Sequence, residues 1–349
     1  FRSHMFQKKN LLIALIITLV AFSVFPQQKI KLKIASVAPA RSPWDIEQRA
    51  LAQEWSKITG GRVSVAFYDS FSLGGEKAVI QKFRSVRPGQ KPMLDGAIFS
   101  TIGLNELAPQ ANIYTLSIPF LIRNQKELDL VLDTYGKDLI AEYNKVGFQM
   151  IAWTNVGWLS FYTKDPFNDL PSLKKIKIAS AGLDSPILGD SFRASGFNVE
   201  DMPADKILQS LKSSGGVRGF FGVHLYAYVT GLSKSINYAL EAKLCPVIAG
   251  LVISTDSWNE IPDQYKPAML EAVDRMRKRL DAALEDTDRN YINSMKKEGV
   301  TFVSPTEKEL SGWESDFSKD IDVIARAAPG AFSIPSFHKI QRLLAETRK

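Results

Sequence analysis

Apolar and polar positions alternate from Ile30 to Val37 (IKLKIASV), a period-two pattern that predicts a first strand. Pro39 and Pro43 end it. Ser42-Pro43-Trp44-Asp45-Ile46-Glu47 then carries a capping hydroxyl, proline at the first helical position and acids in the first turn, which predicts a helix running to about Ile58. Thr59-Gly60-Gly61 stops that helix, because glycine adopts the left-handed conformation that closes one. Arg62 to Tyr68 alternates again, and Ser72-Leu73-Gly74-Gly75-Glu76 turns into a second helix. Strand, helix, strand, helix at this pitch predicts a parallel α/β layer.

Further along, Gln149-Met150-Ile151-Ala152-Trp153 reads as a buried strand. Ser160-Phe161-Tyr162 reads as a second one, after the connection Thr154-Asn155-Val156-Gly157-Trp158-Leu159. A short strand at Ile176 to Ala179 follows a lysine-rich entry and precedes a Ser-Ala-Gly turn, so Ala179 faces whatever space lies beyond the strand end. The pattern then predicts a helix from Pro186 to about Ser195, a strand at Gly196 to Val199 and a helix from Ala204 to Ser213. Val247 to Ser254 is continuously apolar, as a central strand is, and Thr255-Asp256-Ser257-Trp258 caps the next helix. A long charge-laced helical segment extends from Ile261-Pro262 to about Lys297, and Gly299 to Val303 closes with a strand. The Pro/Gly/Lys content of Arg84 to Pro92 marks a surface loop.

Composition narrows the class. With 349 residues, 45% of them hydrophobic, the chain is long enough for two cores. The net charge of +7 is spread along it, and its one dense basic cluster, Lys174, Lys175 and Lys177, lacks the aromatic interleaving of a nucleic-acid surface. A single cysteine, Cys245, excludes an internal disulfide framework and any CxxC site, and its apolar context reads as a buried inert thiol. The three histidines, His4, His224 and His338, have no metal-ligand spacing. A Cys245–His224 pair stays open to sequence reasoning, with a buried thiol and a satisfied histidine preferred. Asp184 and Glu200 are lone carboxylates that read as surface or capping groups. Leu73-Gly74-Gly75 lacks the lysine and Ser/Thr of a phosphate loop. No catalytic residue, metal or cofactor is therefore expected. At the start, residues 1–4 read as a cloning scar. Residues 5–28, with Lys8 and Lys9 ahead of an apolar run, read as a signal peptide or an uncleaved amino-terminal anchor, and either places the protein in the periplasm.

Several phrases, in order, give a family resemblance: Ala35-Ser36-Val37-Ala38-Pro39 with Ser42-Pro43-Trp44, Thr59-Gly60-Gly61-Arg62-Val63, Leu73-Gly74-Gly75-Glu76, Leu94-Asp95-Gly96-Ala97 and Ser117-Ile118-Pro119-Phe120-Leu121. Together with Gly147-Phe148, Trp153 and Asp169-Leu170 they resemble the solute-binding subunits of TRAP (tripartite ATP-independent periplasmic) transporters, the DctP-like P subunits. The resemblance implies a two-lobe α/β fold of periplasmic-binding-protein type, with a central cleft and a long helix spanning both lobes. Lobe I would be 29–156 plus 245–284, lobe II 157–244 plus 285–333, and 334–349 a C-terminal segment.

The same resemblance locates departures. The family pattern "lkGlKiRvpgs" matches Leu173-Lys174-Lys175-Ile176-Lys177-Ile178, but Ala179 stands where the ligand-gripping arginine is usual. Leu159 stands two residues after Gly157, where many members have another arginine, and Gly222 where many have a ligand-contacting asparagine. Arg218 replaces an acid. An arginine fork clamps a carboxylate through charge-assisted hydrogen bonds worth roughly 1.5–3 kcal/mol each. Its loss implies a hydrophobic ligand, held by Trp153, Asn155, Trp158, Leu159, Ala179, Ser180, Arg218, Phe220, Phe221 and Tyr226. Partners implied are the TRAP membrane permease subunits and, for members lacking the arginine, a tetratricopeptide-repeat protein. Two other readings stay open: a ligand receptor for an envelope sensor, and an envelope enzyme on a binding-protein scaffold.

Overall fold

The computed structural model describes residues 29–87, 89–180 and 186–348. The scar and signal readings at 1–28, Asp184, and Lys349 of the C-terminal segment lie outside these residues. The first expected elements form where the pattern puts them. Strand β1 is Ile30–Ser36, helix α1 Pro43–Ile58 and strand β2 Val63–Asp69. Ser42 Oγ accepts from the Asp45 N–H at 3.3 Å, as the capping reading requires. Helix α2 (Gly75–Arg84), strand β3 (Gly96–Ser100) and helix α3 (Thr101–Leu107) follow, and α4 (Gln125–Lys145) is capped by Asn124.

The two strands expected around residue 156 are one. β4 runs unbroken over Phe148–Thr163, with register shifts at Met150/Ala152 and Asn155/Gly157. Gly157 has φ 142°, and a side chain there would meet Val223 Cγ1 at 3.2 Å. The first part of β4 pairs antiparallel with β9 (Pro246–Ser254), and the last part, Leu159 to Thr163, with β7 (Gly219–Val223). It thus belongs to two layers at once, and the crossover at 155–158 is extended backbone rather than a loop.

The lysine-rich entry is also different from expectation. Leu170–Lys175 is a short helix, α5, closed by an Asp169/Ser172 capping box, and strand β5 is confined to Ile178–Ser180. Helix α6 (Pro186–Ala194) forms, but strand β6 lies at Val199–Asp201, three residues later than the pattern suggests. α7 (Ile207–Lys212) is preceded by one 3₁₀ turn, and α8 (His224–Val229) follows β7 directly. β8 (Tyr238–Leu240) precedes β9. Helix α9 (Thr255–Asn259), the long α10 (Lys266–Lys297), β10 (Thr301–Val303), α11 (Glu307–Lys319), α12 (Ile321–Ala327) and α13 (Ile334–Thr347) complete the described chain.

The strands make one mixed sheet in the order β2-β1-β3-β9-β4-β7-β5-β6, with β8 on the end of β4 and β10 on β8. Apolar faces fall into three cores. One joins β4, α4, α6 and α11 to α13, and is rich in aromatics: Phe161 stacks on Phe197 at 5.4 Å, and Phe197 on Phe317 at 5.8 Å. Such pairs add about 0.5–1.5 kcal/mol each beyond burial. A second lies between β1, α1 and α10, where the Trp55 indole donates to Met269 O at 3.0 Å. The third gathers Tyr162, Ala179 and Phe220 with α7, α8 and the end of α10. The long helix therefore packs on both groups of strands. No helix among the described residues is long and apolar enough to cross a membrane.

Candidate functional site

The register defines where a ligand can lie. Parallel strands β1 and β3 end at Ser36 and Ser100, and parallel strands β5 and β7 end at Ser180 and Val223. Ser100 is level with Ala249, and Ala249 with Thr154 of β4. β4 leaves the first set of strand ends there and enters the second at Leu159, opposite Val223. The carboxyl ends of two sheet portions thus adjoin the crossover 155–158, the position where open α/β sheets take ligands.

On the β1/β3 side, Ser36 Oγ donates to Gln48 Oε1 at 2.7 Å, and the Glu76 carboxyl accepts from Ser100 N and Oγ, each at 2.7 Å. A Cβ on Gly103 would come within 2.4 Å of Glu76 Oε1, so only glycine lets the carboxyl reach the start of α3. Burial pushes the Glu76 carboxyl above its ordinary range, although the Ser100 donors pull it back. Sequence reasoning named Glu76 only as part of a phrase. Its role depends on Ser100 and Gly103, over twenty residues away.

The ten residues expected to bind ligand divide between the two faces of the sheet. Leu159 pairs with Val223 and Phe161 with Phe221, so Leu159 and Phe221 point into the aromatic core, together with Trp153 and Trp158. Ala179 pairs with Phe220, and Phe220 stacks on Tyr162 at 4.8 Å, so these point the other way. Leu159 is 1% exposed and Ala179 0%. Trp153 packs edge-on against Tyr143, with its buried Nε1 lacking a hydrogen-bond partner, and Trp158 lies beneath Lys243, whose Nζ is 4.9 Å from the ring. Asn155 is engaged in holding the crossover: its Oδ1 accepts from Gly157 N at 2.9 Å and its Nδ2 donates to Gln125 at 3.0 Å.

Three remain at the strand ends or on the surface. Ser180 Oγ donates to Asp201 at 2.7 Å. Half-buried Tyr226 places its ring 3.4 Å from where a side chain on Gly222 would begin, so it fills the space the glycine vacates. Arg218 is committed to Asp165, with Nε–Oδ2 at 2.8 Å and a second bond from its terminal nitrogen. Glu200 pairs with Lys177 at the surface.

Two groupings have no local sequence signal. Tyr162 and His224 share a hydrogen bond of 2.5 Å between the hydroxyl and Nδ1 inside the third core. Burial, with the nearby Lys243 charge, pushes the imidazole down to about 4. Burial likewise pushes the Cys245 thiol far above its ordinary value, which fits an inert group. Asp288 on α10 is pushed up to about 6 by burial, against the pull of Lys243. The other grouping is a solvent-open cavity of about 990 Å³ between α11, α13, the turn before α4 and the link at Ala242–Lys243. None of the ten expected residues lines it. Among the described residues no cluster of three or more His, Cys, Asp or Glu has the geometry to hold a metal ion.

Comparison with known proteins yields three findings. The family model for DctP, bacterial extracellular solute-binding protein family 7, matches residues 34–327. A solute-binding protein of Roseobacter denitrificans is 22% identical over 290 residues, spanning 79% of this chain and 82% of that one. Among solved structures, a TRAP periplasmic solute-binding protein from Ochrobactrum anthropi, with its C-terminus in its ligand-binding pocket, superposes with a TM-score of 0.80 at 18% identity, covering 92% of this chain and 96% of that chain. One from Chromohalobacter salexigens with bound D-glucuronate gives a TM-score of 0.73 at 19% identity, covering 89% and 99%.

Proposed function

Because the chain belongs to the bacterial extracellular solute-binding protein family 7, we propose that it is the capturing subunit of a TRAP-type transporter whose ligand is hydrophobic or lipid-like. The two-lobe fold is that of periplasmic TRAP solute-binding proteins. Ligand binds where the two sets of strand ends adjoin the crossover, and lobe closure is a population shift driven by tighter binding to the closed form. The lobes divide at the crossover near 156 and again near 245, with α10 running along both.

One observation carries the ligand class. At the two positions where an arginine would be expected, Leu159 and Ala179 are buried apolar residues, and the nearby Arg218 is already paired with Asp165. A carboxylate brought to these strand ends would meet no free guanidinium from those three positions, and a buried anion without a partner is costly. Glu76 at the other strand ends, held by Ser100, adds repulsion rather than attraction. The solved TRAP relatives hold acids such as D-glucuronate and L-gulonate, so the proposed cargo departs from theirs. Ser180 and Tyr226 supply the polar rim, and apolar surface buried from the ligand contributes about 25 cal/mol per Å².

The proposal includes delivery to the TRAP permease subunits and contact with a tetratricopeptide-repeat partner. Calorimetry with a panel of sugar acids, dicarboxylates, fatty acids and neutral lipids tests the ligand class. Saturable binding of an apolar compound that is lost on Tyr226→Ala supports it. Tight binding of a sugar acid that is lost on the same substitution sinks it. Affinity capture with the purified protein tests the partner: failure to retain a tetratricopeptide-repeat protein from envelope extract removes that part alone.

A further inference from the structure

We propose that the groove between α11, α13 and the turn before α4 is a second binding site, for ligands that carry several carboxylates. Its volume of about 990 Å³ is at the upper end of the range for ligand pockets. Four cations line it: Arg123, Lys243, Arg342 and Arg348. Three carboxylates line it too, but all are occupied. Arg348 grips Glu127 side-on, with Nε–Oε1 at 2.8 Å and NH2–Oε2 at 2.7 Å, and reaches Glu314 at 2.9 Å. Arg123 bonds Glu314 at 2.6 Å and Glu307 at 3.3 Å, the latter at the exposed mouth.

Among the described residues, that leaves Lys243 and Arg342 without a carboxylate within 4 Å. Lys243 is the more telling of the two. Its ammonium sits over the Trp158 ring and is partly desolvated, and burial lowers its pKa although Asp288 and Glu285 act against it. An ammonium short of water gains more from an incoming anion than a solvated one does. Arg342 stands on the exposed face of α13 with no carboxylate partner among the described residues. The net charge of +7 adds long-range attraction for anions. The cations that carboxylate recognition needs are thus present here and replaced at positions 159 and 179. The site stands independently of the ligand proposed for the strand ends. Its occupant touches the turn before α4, the 242–243 link and α11, and so contacts elements on both sides of the crossover.

A free polycarboxylate and an acidic peptide segment present the same chemistry. Isothermal titration of the full chain with citrate and with hexaglutamate separates them. Saturable 1:1 binding of either probe is expected, weakened at least about tenfold by Arg342→Gln and by Lys243→Gln, and unchanged by Lys297→Gln at the exposed end of α10. Citrate binding assigns the site to small polycarboxylates, and binding of hexaglutamate alone assigns it to a peptide segment. Binding of neither probe, or equal weakening by Lys297→Gln, overturns the proposal. Lys243 packs on Trp158, so Arg342→Gln, on an exposed helix face, decides the matter if the lysine variant folds poorly.

Discussion

Arg123, in the turn before α4, and Glu314, on α11, form a 2.6 Å ion pair with side chains only 14% and 15% exposed. Arg348 at the end of α13 adds a second bond to the same carboxylate and holds Glu127 as well. Phe120, three residues before Arg123, packs at 5.4 Å from Trp313 on α11. Through Phe317 the same helix touches Phe192 of α6. These contacts fasten the C-terminal helices across the sheet portions that β4 connects. Glu314→Ala removes the carboxylate that both guanidinium groups share and leaves them Glu307 and Glu127, and we expect a loss of about 1.5 kcal/mol in urea unfolding at pH 7. A loss under about 0.5 kcal/mol would show that the network is solvated and energetically idle.

The His224 imidazole gives a pH dependence with a definite sign. Its folded pKa, about 4, is below its ordinary value of 6.5. Its contribution to stability is therefore fully present above about 6.5 and is lost as pH falls toward 4, by up to about 3 kcal/mol. His224→Gln should cost stability at pH 7 through the lost Tyr162 bond, yet remove this slope. Urea midpoints from pH 7 to pH 4 that fall as steeply in the variant as in the native chain would contradict the assignment.

Asp288 works in the opposite direction within the same window. Burial raises its folded pKa to about 6 from 3.8, so its contribution is fully present below about 3.8 and is lost as pH rises through 6. Asp288→Asn is expected to stabilise the protein by about 1 kcal/mol at pH 8, the full shift being discounted because the group is only partly buried, and to give no gain at pH 3.5. Thermal unfolding at the two pH values checks both signs. A loss of stability at pH 8 instead would mean that the carboxyl is charged and paired in the folded chain.

Gly157 is the point at which β4 changes partners, at φ 142° with Val223 close by. Gly157→Ala combines a conformation that side chains avoid with a 3.2 Å approach to Val223 Cγ1, and should cost about 2 kcal/mol. Equilibrium unfolding measures the loss. Native stability in this variant would show that the crossover relaxes freely.

Much of the fold is legible locally. Ser42-Pro43, Thr59-Gly60-Gly61 and the alternation of residues 30–37 act over a few residues, and α1 ends at Ile58 as the pattern predicts. The failures arise where tertiary pairing overrides local pattern. The stretch Thr154 to Leu159 reads as a connection, yet pairing with β9 and β7 keeps it extended as part of β4. Lys174 and Lys175 read as the entry to a strand, but the Asp169/Ser172 capping box makes a turn of helix there. For the site, the family resemblance brought in Phe220 and Phe221 but did not show that neighbours on a strand point to opposite faces, each into a different core. The groove was invisible because Arg123, Lys243, Glu314 and Arg348 are brought together from segments far apart in the chain.

The most direct test of the ligand assignment is mass spectrometry of an organic-solvent extract from the purified, never-unfolded protein. We expect one apolar or lipid-like compound at close to one equivalent. A sugar acid or dicarboxylate at one equivalent, still retained by the Lys243→Gln/Arg342→Gln variant, would contradict the account. It would move the anion contact to another cation, with Arg41, an exposed arginine on the loop after β1, the first to substitute.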